Sequence, residues 1–143
     1  MSFHDFQRSV FAGLVLALAI GCGPSGPRLV KVSGTVTRGG KPVPKLFLNF
    51  YPEHGRPSWG VTDEEGHYTL NYERSGDGAI TGPHKVWVQL RPANPREEAD
   101  LHNGTLKLHP EIQAILKKYG KLDTTPLTVE VTADKPVIDL ELN

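Results

Sequence analysis

The chain has one cysteine, Cys22, among its 143 residues. No second thiol exists to pair with it, so a disulfide framework inside the chain is excluded. Net charge is also missing. The 16 Lys and Arg balance 16 Asp and Glu, and without an excess of positive charge to meet phosphates the chain does not read as a nucleic-acid binder. The third absence is a long apolar run. The uncharged stretch from Val10 to Ile20 falls well short of the roughly 20 residues that carry a helix across a bilayer. No permanent transmembrane helix is expected.

What that stretch does match is the apolar centre of a secretory signal. Met1–Arg8 carries Asp5 and Arg8, which with the amino terminus makes a weakly positive start. The small residues Ala19 and Gly21 precede Cys22, and Gly23-Pro24-Ser25-Gly26-Pro27 follows as a flexible tether. Ala19-Ile20-Gly21-Cys22 resembles the lipobox of bacterial lipoproteins, with Ala19 where the usual residue is leucine. The resemblance implies that residues 1–21 are a lipoprotein signal peptide, and that Cys22 becomes the new amino terminus and carries diacylglycerol. Residues 22–28 are then a lipidated tether and 29–143 the folded domain. The expected location is the cell envelope, with the membrane as partner through the lipid on Cys22. Gly23 lacks the acidic character linked with inner-membrane retention, which favours the outer membrane on its periplasmic side. Losing the signal removes Asp5 and Arg8 together, so the mature chain stays neutral.

From Leu29 onward the chain alternates. Val30, Val32 and Val36 share one parity, with Lys31, Ser33, Thr35 and Thr37 between and beside them, the period of a strand with one buried face. The same reading puts Leu46, Leu48 and Phe50 on one face of 46–51. It does so for Tyr68, Leu70 and Tyr72 in 67–72, and for Val86, Val88 and Leu90 in 85–90. Trp59–Thr62 is a short further strand. Leu127, Val129 and Val131, then Ile138, Leu140 and Leu142, repeat the alternation. Arg38-Gly39-Gly40-Lys41-Pro42 and Asp63-Glu64-Glu65-Gly66 are turns by composition. Short strands punctuated by Gly and Pro predict an all-β sandwich.

Residues 91–125 break this rhythm. Pro110–Gly120 carries helix signals: proline at the first position, Glu111 beside it, Lys117 and Lys118 in the last turn, and Gly120 to end it. Ile112, Ile115, Leu116 and Tyr119 form its apolar stripe. That stripe needs a surface, and Trp87, opposite Val86 and Val88 on its strand, needs a cover. The simplest expectation is that one lies over the other. Otherwise Trp87, Trp59 and Tyr119 make a candidate ligand surface.

Val32-Ser33-Gly34-Thr35-Val36-Thr37-Arg38-Gly39-Gly40-Lys41-Pro42-Val43-Pro44, Gly60-Val61-Thr62-Asp63-Glu64-Glu65-Gly66-His67-Tyr68 and Gly82-Pro83-His84-Lys85-Val86 together resemble the carboxypeptidase regulatory-like family. The resemblance runs over residues 29–143 and includes Thr125-Pro126-Leu127-Thr128-Val129 after the 91–125 insertion. It implies a transthyretin-like (prealbumin-like), seven-stranded Greek-key β-sandwich, here with one short helical insertion near 110–119. Short bacterial lipoproteins built from a signal, a lipobox and one such domain are similar to the whole chain. The resemblance is nearly silent on activity.

Candidate chemistry is sparse. His54, His67, His84, His102 and His109 include no pair at the i, i+4 spacing of a metalloprotease. The acids of 63–65 lack the closing glutamate of an EF-hand, whose place is taken by Tyr72. Hydroxyisourate hydrolases share the implied fold but end in Tyr-Arg-Gly-Ser, and the last residues here read Leu140-Glu141-Leu142-Asn143. Ser25, Ser33, Ser58 and Ser75 lack the glycines of a nucleophile elbow. A Lys31–Asn143 isopeptide crosslink is disfavoured because Lys31 alternates with the valines and points outward. No catalytic residue, metal site or cofactor is expected. The expected function is a non-enzymatic, lipid-anchored envelope module with a structural or interaction role, meeting an envelope protein or glycan. The alternative is a carrier of a small ligand, glycan or peptide, on the aromatic surface near Trp87. An enzyme on the same scaffold is a third reading.

Overall fold

The computed structural model describes residues 28–72 and 76–143. The signal segment, Cys22 and the tether as far as Pro27 lie outside the described residues. The first strands are β1 (Leu29–Val30), β2 (Ser33–Arg38), β3 (Lys41–Pro42), β4 (Leu46–Pro52), β5 (Ser58–Val61), β6 (His67–Thr69) and β7 (Asn71–Tyr72). Then come β8 (Gly76–Asp77), β9 (Ala79–Ile80), β10 (Gly82–Leu90), helices α1 (Pro95–His102) and α2 (Pro110–Tyr119), β11 (Thr128–Val131) and β12 (Leu140–Glu141).

The larger sheet has the order β11-β10-β4-β5-β7-β8, antiparallel throughout. In the smaller sheet β2 runs parallel to β12 and antiparallel to β3 and β6. A short β1–β9 pair stands beside them. Period-two patterning decides what each sheet buries. Leu46, Leu48, Phe50, Val86 and Val88 from the larger sheet meet Val32, Val36, Tyr68 and Leu140 from the smaller in one core cluster. Burial of such side chains contributes about 1.5–3 kcal/mol each. The chain is mostly β, as expected, and its alternating faces are those read from the sequence.

Three features differ from or add to that reading. The run His67–Tyr72 is not one strand: β6 pairs with β2, β7 pairs with β5, and the chain changes sheet at Leu70. Leu70 joins the two, its N–H donating to Val32 O and its carbonyl accepting from Gly78 N. Because both sheets face one core, Tyr68, Leu70 and Tyr72 stay buried across the change. Second, β2 and the segment before β12 approach so closely that a Cβ on Gly34 would stand 1.9 Å from the Ile138 carbonyl oxygen. Third, the helix expected at 110–119 is joined by another, α1, with no buried residues.

α2 begins as its sequence directs, with Pro110 in its first turn, and Gly120 N–H closes it on Leu116 O at 2.9 Å. Its stripe finds its main burial in the core rather than over Trp87: Ile115 and Tyr119 join the core cluster, with Ile112 and Leu116 packed against it. The Tyr119 hydroxyl donates to Asn143 O at 3.0 Å and accepts from Asn143 N at 3.2 Å. Arg38 Nη1 donates to Glu111 O at 3.1 Å. The helix thereby bridges the end of the smaller sheet and β10 of the larger one.

Candidate functional site

β10 organises the site. Its inward residues are His84, Val86 and Val88, and its outward ones are Lys85, Trp87 and Gln89. Across the outer face Trp87 stands in register with Asn49 and Asn49 with Trp59, while Gln89 stands beside Phe47 and Phe47 beside Val61. Phe47 and Trp59 are therefore diagonal neighbours on adjacent strands, a spacing that aromatic side chains span. Their rings stack with centroids 5.6 Å apart and planes 7° from parallel. Trp59 remains 39% exposed. An indole left half in solvent on a sheet face is a feature of binding surfaces more than of cores.

The 91–125 insertion rises beside this pair. Glu98, Leu101 and His102 of α1, with Leu116 and Gly120 at the end of α2, stand across from Phe47 and Trp59 around an open cleft of about 810 Å³. That volume lies within the range of small-ligand sites, about 300–1,000 Å³. α1 starts at a local cap: Asn94 Oδ1 accepts from Glu97 N at 2.9 Å, and a Glu97 carboxylate oxygen accepts from Ala93 N at 2.8 Å. The side chains of Gln89, Arg91, Glu98 and Lys121 line the cleft, and none has a hydrogen-bond or ion-pair partner among the described residues.

The expected surface residues separate. Trp59 lines the cleft. Trp87 is half-buried and does not line it, and Tyr119 is enclosed with its hydroxyl occupied by Asn143. Between the two tryptophans Asn49 Nδ2 is closed off from solvent with no partner. Phe47 and the α1 residues escaped the sequence reading. The parity that set Trp87 outward also sets Phe47 outward, opposite Leu46 and Leu48, so a signal existed. Asn94-Pro95 followed by Glu97 is likewise a legible helix start.

Titratable groups away from the cleft serve the fold. His84 is buried; its Nδ1 donates to Gly82 O at 3.0 Å and its Nε2 has no partner. Burial holds its pKa below the ordinary value, against the opposing pull of the Gly82 carbonyl and the Glu130 carboxylate. Burial, then the Asp139 carboxylate, raises that of Tyr68, whose hydroxyl donates to Ile138 O at 2.5 Å. Asp63 Oδ1 accepts from Glu65 N at 3.0 Å and His67 N at 2.8 Å, so this acid organises its turn. Glu141 accepts from the Thr37 hydroxyl and, at 2.6 Å, from Gly39 N; these bonds, the hydroxyl first, lower its pKa.

Among the described residues no group of three or more His, Cys, Asp or Glu could hold a metal ion, and no helix is long and apolar enough to cross a membrane. Comparison with protein-family models, curated proteins and solved structures finds no match to the chain.

Proposed function

We propose that this is a non-enzymatic, lipid-anchored module of the bacterial cell envelope that works by holding a ligand in the Phe47–Trp59 cleft. In this reading residues 1–21 direct export and are removed, and lipid on Cys22 holds the protein at the outer membrane. The domain is a seven-stranded Greek-key sandwich of the carboxypeptidase regulatory-like, transthyretin-like kind, with 91–125 inserted as a binding element. The observation that carries the reading is the pairing of an exposed aromatic stack on one sheet with walls supplied by the insertion. A purely structural module has no need for a half-exposed indole facing a concave space.

The test uses the full chain expressed in a bacterial host as wild type, Cys22→Ala and Trp59→Ala. Labelled palmitate is expected in wild type and Trp59→Ala, both sedimenting with membranes, and absent from a soluble Cys22→Ala. The small-molecule fraction of an envelope extract is expected to raise the thermal midpoint of wild type but not of Trp59→Ala. Label retained by Cys22→Ala removes the anchor; equal stabilisation of Trp59→Ala removes the cleft.

A further inference from the structure

The cleft's surroundings limit what fits it. A peptide that binds by adding a strand needs a free sheet edge, and the strands below the cleft offer none. Phe47 is paired on both sides, with Gln89 and Val61, and Trp59 with Asn49 and Asn71. β10 has an outer edge, because β11 pairs with it only through Lys85. Hydrogen bonds from Val86 N to Leu127 O and from Arg91 N to Lys45 O show that the even-numbered residues of β10 direct their backbone groups to that edge. There α2 packs against β10 and Val88 is fully buried. No run of backbone groups is left for a peptide to pair with.

A wholly apolar ligand fits no better. It would cover Gln89, Arg91 and Glu98 and leave their polar groups unpaired, a cost of about 1–3 kcal/mol each, or more for the charged ones. The charges around it are mixed, with Arg91 and Lys121 beside Glu98, which suits a ligand that offers acceptors and donors together. The ligand that meets these demands together has a flat apolar face and a periphery of both donors and acceptors. A pyranose ring has that form: its axial C–H bonds make an apolar face that seats on an indole. Its neighbouring hydroxyls match the two-point geometry of guanidinium, carboxylate and carboxamide groups.

Resting on the cleft reading above, we infer that the ligand is a short oligosaccharide, with one sugar ring seated on Trp59 and its hydroxyls met by Gln89, Arg91 and Glu98. The experiment is a titration of the full chain, ¹⁵N-labelled, with chitotriose, cellotriose and maltotriose in turn, following the two indole N–H resonances and, for the affinity of every variant, the backbone amides. Trp59→Ala assigns the signals. A capped Leu-Lys-Leu-Lys tetrapeptide and the uncharged apolar dye Nile red are titrated in parallel. At least one trisaccharide is expected to shift the Trp59 resonance saturably, with affinity falling about tenfold or more in Trp59→Ala and more modestly in Glu98→Gln. If no trisaccharide shifts Trp59 while the peptide or the dye does, the saccharide assignment is overturned and the cleft stands. Silence from every probe overturns both.

Discussion

His84 sits in the core with its ring 6.2 Å from that of Phe50, centroid to centroid, and an Nε2 that nothing meets. Its pKa is lowered from 6.5 in the folded state, so below that value the unfolded chain takes up a proton that the folded chain refuses. Stability from this group is complete above pH 6.5 and declines as the pH falls through it, until folded His84 itself protonates. Chemical denaturation at a series of pH values should show this decline in wild type and a flatter profile in His84→Gln; equal slopes would remove His84 as the cause. Gly34 makes a steric demand instead. With the Ile138 oxygen 1.9 Å from its absent Cβ, Gly34→Ala has to part β2 from the segment before β12. A loss of more than about 4 kcal/mol is expected, the range of severe backbone and core lesions; a thermal midpoint within a few degrees of wild type would contradict the close approach. Neither property was legible in the sequence. His84 reads as one of five histidines in loops or at exposed strand edges, because the alternation marks a strand only from Lys85, and Gly34 reads as a strand residue because its crowding comes from Ile138, 104 positions away.

At the scale of elements, the two helices show what local signals carry. α2 has both a stripe and caps, and its limits were read to the residue. Its placement was not, because a stripe states that a face is buried but not against what, and the open side of the core at β10 competed with Trp87. That placement makes separable demands. Ile115→Ala leaves a cavity in the core and should cost about 2–5 kcal/mol. Tyr119→Phe removes only the hydroxyl shared with Asn143, about 0.5–1.5 kcal/mol. Urea unfolding of both variants checks this, and an Ile115→Ala no worse than Tyr119→Phe would mean the helix lies outside the core. α1 has caps without a stripe. Its Asn94–Glu97 start was present in the sequence, but with no apolar periodicity to support it the segment read as irregular, and with it went half of the cleft wall. In the sequence Trp59 is marked by the size of its own side chain in a short strand, whereas the outward parity of Phe47 is masked by the apolar Leu46, Leu48 and Phe50 around it.

For the molecule as a whole, β10 is also a ruler. Arg28, the last residue of the tether and the first one described, accepts from Thr81 N through its carbonyl, next to the start of β10 at Gly82. The cleft lies at the other end, around Leu90 and Arg91. Nine residues rising about 3.3 Å each span roughly 26 Å between first and last. The tether from Cys22 to Pro27 reaches on the order of 20 Å when extended. If lipid is attached at Cys22, as proposed above, the Thr81 end is expected nearest the bilayer and the Trp59 cleft away from it. The orientation is measurable because wild type has no other cysteine. Lipidated protein carrying Thr81→Cys or Lys121→Cys, each labelled with a fluorophore, is placed in vesicles containing a headgroup-attached quencher. The label at position 81 should be quenched strongly and the label at 121 weakly. Equal quenching would mean that the domain tumbles freely on its tether, and the reverse order that the cleft faces the membrane. The reverse order would make the membrane surface, rather than the space beyond it, the source of the ligand.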